Sequence, residues 1–276
     1  MVGDATGAEH ERIVRVLVDE WAAIRDLLAT LGDEEWSRPT ALPAWDVRDV
    51  VAHLIGIEAT LLGEPQPPPP ADLAARTHVR NELGAANEAW VEAMRALRPR
   101  EVLDRFVEVT DRRAAALGSM TAEDFAAPSW TPAGEATYGR FMQIRILDCW
   151  FHDQDVRDAV GRPGNDGGPA AEEALDEVVR SLGYVVGKRA AAPEGAAVTF
   201  SLTGPVRRDV HVRVAGRAEV VDELDRPADA VIRTDSATFF RLAGGRVAAA
   251  DVRDRLELGG DTELATRIAD RLGFMI

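Results

Sequence analysis

Two histidines and an aspartate stand where a helical repeat calls for apolar side chains. His53 follows Val50 by three residues and precedes Ile57 by four, which places it on the apolar face of its helix. Asp148 and His152 are four apart on a later helix and share one face, with Tyr138, Phe141, Arg145 and either Asp155 or Val156. A carboxylate and two imidazoles projecting into a helical core need either a cation or a hydrogen-bond network to satisfy them. Helical bundles build metal sites from side chains on facing helices in this way. The same spacing also suits a plain intrahelical Asp–His pair, and the residues alone leave both readings open.

Arg145, one turn before Asp148, is the best-placed cation for a carboxylate-bearing substrate, or an ion-pair partner of Asp148. Asp155 or Asp49 is placed to orient an imidazole. Cys149 lies about a hundred degrees around the helix from Asp148 and reads as a buried, inert thiol. His78 has no partner by spacing, and His211 alternates with strand valines. Trp36 and Trp45 read as packing that fixes the entry of a helix. Later in the chain Arg207, Arg208, Arg213 and Arg217 fall on neighbouring strands and Arg241 and Arg246 around a helix end. The glycines of GRPGNDGG follow a helix instead of a strand, so a dinucleotide loop is not indicated. No Ser–His–Asp hydrolase signature or phosphate-binding loop is visible.

The elements that must position these groups are helical in the first half. Ile13, Leu17, Trp21, Ile24, Leu28 and Leu31 recur at three- and four-residue steps and predict a helix over Glu11–Leu31. After the breaker-rich SRPTALPAW, Asp46 is an N-cap with Asp49 three residues on, and Val47–Leu62 is the next helix. GEPQPPPPAD is an extended connection. Helical pattern resumes over about Leu73–Leu97, with Leu83, Trp90, Val91 and Met94 as core positions, is interrupted at Pro99, and returns over about Val102–Leu117. APSWTPAGEAT reads as a loop. A last strong helix, Tyr138 to about Val160, is stopped by GRPGNDGGP. The second half opens with a helix, Ala170–Ala191, and then turns to strands over Ala197–Leu202, Asp209–Val214, Ala218–Leu224 and Ala228–Thr234. Helices follow at Ser236–Leu242 and Thr262–Leu272, the latter capped by Asp261. The pattern predicts a two-domain α+β chain, with 1–165 helical and 166–276 a smaller α+β domain.

Composition limits what such a chain can do. At 276 residues with 46% hydrophobic and 29% charged residues it is an ordinary globular protein. A formal net charge of −15 excludes a nucleic-acid phosphate backbone and anionic lipid as natural partners. A single cysteine excludes an internal disulfide framework. No apolar run approaches the roughly 20 residues of a membrane span, and the polar start MVGDATGAEHER lacks the features of a signal peptide. The expected location is cytoplasmic. Oligomeric state has no signal in the sequence.

Two stretches, PTALPAWDVRDVVAHL (Pro39–Leu54) and RILDCWFHDQDVRDAVGRP (Arg145–Pro163), together resemble the mycothiol-dependent maleylpyruvate isomerase family. The resemblance extends over the whole chain. It implies a DinB-like four-helix bundle followed by a sterol-carrier-like α+β domain that closes the site, in an actinobacterial setting. It implies also a divalent metal, usually zinc, on His53, Asp148 and His152. The family generally has Glu at the position of Asp148; the aspartate stem is one methylene shorter, so the helices must approach more closely. Two histidines and a carboxylate leave an open position, the arrangement of catalytic zinc. By resemblance that position activates mycothiol, a small-molecule thiol, for isomerisation or S-transfer on a small electrophilic substrate, and Arg145 and Arg246 are the residues placed to hold it. The rival readings are a non-catalytic small-ligand-binding protein on the same scaffold and a metal enzyme, such as a hydrolase using metal-bound water, that does not use mycothiol.

Overall fold

A computed structural model describes residues 2–275, with side chains from Gly7 onward. The chain divides into two units, the first ending at Gly164 and the second beginning at Asn165. The fold class is α+β, a helical bundle followed by a smaller α+β unit.

The first unit runs α1 (Val2–Leu28), α2 (Val47–Leu61), α3 (Glu82–Met94), α4 (Pro99–Ser119), α5 (Ala122–Ala126), β1 (Pro128–Thr131), β2 (Gly134–Thr137) and α6 (Tyr138–Val160). Helices α1, α2, α4 and α6 pack about one core, and α3 lies on α2. Leu17, Ile24, Leu28, Val50, Ile55, Phe106, Val109, Met142 and Ile146 are buried there. The start of α2 is set by the expected reciprocal cap. Asp46 Oδ1 accepts from the Asp49 N–H at 2.9 Å, and Asp49 Oδ2 from the Asp46 N–H at 3.3 Å. Helix α6 begins on the Thr137 hydroxyl, which accepts from the Arg140 N–H, and stops where Gly161 turns left-handed at φ 69°. Close seating of α3 on α2 depends on Gly56, where any Cβ would overlap the Trp90 ring. Trp90 Nε1–H then donates to Thr60 Oγ1 at 3.1 Å.

Several expectations are corrected here. Helix α3 starts at Glu82, nine residues later than read, because the Asn81 side chain caps it at Gly84 N–H and leaves only a short 3₁₀ turn at Leu73–Ala75. Leu83 is consequently in the first turn, and it is 42% exposed. Pro99 does not interrupt a helix. It opens α4 at the first position, where its missing N–H costs nothing. APSWTPAGEAT forms the β1–β2 hairpin, its turn closed by Thr131 Oγ1 donating to Gly134 O at 2.7 Å and accepting from Ala133 N–H at 3.1 Å.

The second unit holds α7 (Gly168–Tyr184), β3 (Ala197–Thr203), β4 (Arg208–Ala215), β5 (Arg217–Val221), β6 (Ala230–Asp235), α8 (Ser236–Ala243), β7 (Glu257–Gly260) and α9 (Thr262–Ala269). The strand order is β5-β4-β3-β6-β7, with β3 and β6 parallel and the other pairs antiparallel. One face of this sheet carries Val198, Phe200, Val210, Val212 and Ile232, all buried. The expected helix to Ala191 ends at Tyr184 and passes into a wide π turn, Val185–Arg189. Gly183 sits there so close to β5 that a Cβ would lie 2.7 Å from Ala218 O. Strand β7 was not expected; its sequence, Glu-Leu-Gly-Gly, carries too little β-branched or aromatic character to signal one. Among the described residues no helix is long and apolar enough to cross a membrane.

Candidate metal centre

His53 projects from the second turn of α2, and Asp148 and His152 project from the middle of α6. Packing of α2 on α6 brings together one ligand-type atom from each, all within 4.8 Å of one another. His53 Nε2 lies 3.4 Å from Asp148 Oδ2, and His152 Nε2 lies 3.6 Å from Asp148 Oδ1. The two imidazoles meet edge to face, with centroids 4.8 Å apart. Both histidines are buried, and the Asp148 side chain, 28% exposed, is where the cluster opens to solvent.

The two imidazoles are held differently. His152 Nδ1 lies 3.0 Å from Asp155 Oδ2, a hydrogen bond that fixes the ring and turns Nε2 toward Asp148. Neither ring nitrogen of His53 has a hydrogen-bond partner among the described residues; its approach to Asp148 has ion-pair distance without hydrogen-bond geometry. Burial lowers the His53 pKa, despite the opposing pull of Asp148, so the ring is neutral at neutral pH. Burial also pushes the Asp148 carboxyl upward, but Arg145, His53 and His152 together hold it well below the usual range. One anionic oxygen donor and two imidazole nitrogen donors, one of them on the orphaned buried ring of His53, fit a divalent cation such as zinc in chemistry and in convergence.

Asp148 is held from behind by charge. Arg145 Nη1 donates to Asp148 Oδ2, while its Nε and Nη2 donate to Glu58 Oε1 at 3.0 and 2.8 Å. Glu58 Oε2 accepts in turn from Arg113 Nε at 2.9 Å, and Arg113 Nη2 donates to Tyr138 Oη at 2.9 Å. Glu58, Arg113 and Arg145 are each at most 2% exposed. Of the two readings of Arg145, the geometry shows the ion-pair partner of Asp148: its guanidinium is buried and engaged by Glu58, Asp148 and the Cys149 sulfur. Cys149 itself is fully buried, and burial raises its pKa far above the range of a reactive thiol.

Of the two aspartates read as imidazole orienters, Asp155 has that place. Asp49 is occupied by the α2 cap and by Arg95, at 3.1 and 3.0 Å. Arg246 belongs to the second unit, just after α8, where its Nη1 donates to Gly244 O at 2.6 Å. His211 bonds Thr199 on the neighbouring strand at 3.0 Å, and His78 bonds Glu88 at 2.9 Å. Sequence reasoning missed Glu58 and Glu88. For Glu58 a signal existed, a lone acid inside the apolar run HLIGIEATLL. Trp45, read as helix-entry packing, also stacks beside His53 with centroids 5.2 Å apart.

Residues 17–157 match the family described as the mycothiol maleylpyruvate isomerase N-terminal domain, and residues 172–267 match its C-terminal domain. The chain belongs to the mycothiol maleylpyruvate isomerase family. Its fold is similar to the crystal structure of a mycothiol-dependent maleylpyruvate isomerase, with TM-score 0.56 and 16% identity over 91% of this chain and 92% of that one. A histidine-to-alanine mutant of the isomerase gives TM-score 0.58 and 15% identity at the same coverage. At this identity the likeness establishes the shared fold. No curated protein sequence matches the chain.

Proposed function

We propose that this family member is a divalent-metal-dependent enzyme that uses mycothiol for isomerisation or S-transfer on a small electrophilic substrate. The observation that carries the reading is the convergence of the orphaned His53 with Asp148 and His152 at one solvent-reaching point. These three residues would hold the metal, with zinc the first candidate. A divalent cation with an open position converts a thiol to a thiolate at neutral pH.

The chain's own residues prepare that position. Asp148 supplies a permanent negative charge, kept ionised by Arg145. Asp155 holds the His152 ring through Nδ1 and leaves Nε2 facing Asp148. Glu58 holds Arg145, so Asp148 is aimed by a buried relay that begins at Arg113. Cys149 is sealed off, so the reacting thiol comes from outside the chain. Addition of that sulfur to a conjugated carbon moves the π electron pair onto the conjugated carbonyl as an enolate and leaves a rotatable single bond. Return of that pair expels the same sulfur and restores the double bond in the other geometry, while protonation at carbon with the sulfur retained gives a conjugate.

The first test is elemental analysis of tag-free protein beside His53→Ala and Asp148→Ala. One divalent ion per chain, lost in both variants, is expected; a wild type that cannot be loaded sinks the reading. A second reading, metal-free ligand binding, draws on the Arg145–Asp148 ion pair, which already satisfies the aspartate. Ligand binding that survives chelation would favour it.

A further inference from the structure

We propose that Glu88 is a positioning residue of the metal centre, acting on His53 through Trp45; this rests on the metal-site reading above. The starting observation is the inequality of the two imidazoles. His152 is oriented by a hydrogen bond to Asp155, whereas neither nitrogen of His53 has a partner among the described residues. A metal-ligating imidazole is ordinarily oriented by a bond to its second nitrogen. At His53 the neighbour that takes this part is the Trp45 indole, 5.2 Å from the His53 ring centroid and tilted 41°; the same indole lies 6.4 Å from the His152 ring.

Trp45 is itself clamped. Its Nε1–H donates to Glu88 Oε1 at 2.6 Å across 43 residues of sequence. Glu88 is 1% exposed and also accepts from Arg76 and His78, both on the segment leading into α3. Burial pushes its carboxyl upward, but the donors from Trp45, His78 and Arg76 more than reverse this, so it remains an anion. The helix bearing Glu88 is seated firmly by the Gly56–Trp90 approach. On the other side of the indole, Ala44 holds φ 67°, a left-handed conformation that alanine rarely adopts, and its carbonyl accepts from Arg95 Nη2 at 3.3 Å. A strained, pinned turn thus presents Trp45, and a buried carboxylate stops the indole from rotating. The two imidazoles are oriented by two devices: a carboxylate directly on His152, and a carboxylate acting through an aromatic ring on His53.

The test is a double-mutant cycle on Glu88→Ala and Trp45→Phe, read two ways. The first readout is the ring-nitrogen resonances of His53 and His152 in metal-free, histidine-labelled full-length chain. The second is zinc affinity by competition titration. Each single variant is expected to move the His53 resonances, leave His152 in place and weaken zinc binding about tenfold. The double variant should be no worse than either single one, because both remove the same coupling. Strictly additive effects, or single variants that leave His53 unmoved, overturn the proposal. A wild type that takes up no zinc removes the metal reading, and the metal-free resonances then decide the Glu88–Trp45–His53 coupling alone. If Glu88→Ala does not fold, Trp45→Phe decides, since it keeps an aromatic ring beside His53 while removing the indole N–H and the second ring of the bicycle.

Discussion

Under the helices of the first unit lie Glu20, His53, Glu58, Glu88, Arg113, Arg145, His152, Asp153 and Asp155, all buried. The second unit instead fills its interior with Val198, Phe200, Val212, Ile232, Phe239 and Leu264, and among the described residues Glu173 is its one buried carboxylate. Both units are held by apolar packing, but the first carries most of the desolvation of charged groups. Buried charge is weak as a source of stability, since well-packed hydrophobic residues often do as well. Where it persists as a connected chain from Tyr138 through Arg113, Glu58 and Arg145 to Asp148, the reason lies in what the last member does. The contrast separates a unit whose interior holds a connected chain of buried charge from one whose interior carries mainly apolar packing.

The largest test of that contrast is Glu58→Ala. It leaves two guanidinium groups buried without their shared carboxylate and should cost about 5 kcal/mol, measured by urea unfolding. Phe200→Ala in the second unit should cost about 3–4 kcal/mol through a cavity alone and leave metal content untouched. Metal loss in that variant would break the comparison. Asp155→Ala frees the His152 ring and is expected to weaken zinc by 10- to 100-fold, or about 1.4–2.7 kcal/mol, with one ion per chain still reached at saturation. Unchanged affinity there would show that the cluster does not need its imidazole oriented.

The smallest expected effect belongs to the surface of the second unit. Asp229 is held at about 2, first by Arg226 and then by the Ala197 N–H. A folded pKa below the unfolded value near 3.9 stabilises the fold above that value, and the contribution is lost as pH falls through about 2. The stability gap between wild type and Asp229→Asn should therefore be constant above about pH 5 and close progressively below it. Solvent screening keeps the gap under about 1 kcal/mol.

Much of the bundle was legible because long helices advertise their buried face every three or four residues. The Asp46–Asp49 cap, the Gly161 stop and the shared face of Asp148 and His152 are all local, and local spacing carries them. The β1–β2 hairpin and β7 were not legible, since four-residue strands are too short to show a period. Which of its two readings Arg145 takes was not legible for a different reason: its buried partner Glu58 lies 87 residues away. Asp155 was named as one of two orienters, and only its reach to His152 separated it from Asp49.

By itself, then, the amino-acid order determined the helices, their caps, the two-part α+β plan and the residues able to bind a cation, because each of these depends on neighbours within a few turns. Tertiary structure alone decided that His53 meets Asp148 and His152, that Arg145 serves Asp148, and that Trp45 stands against His53 under the hold of Glu88. Those relations join residues on different helices, and short-range spacing carries no information about which buried charge will find which partner when the helices close on one another.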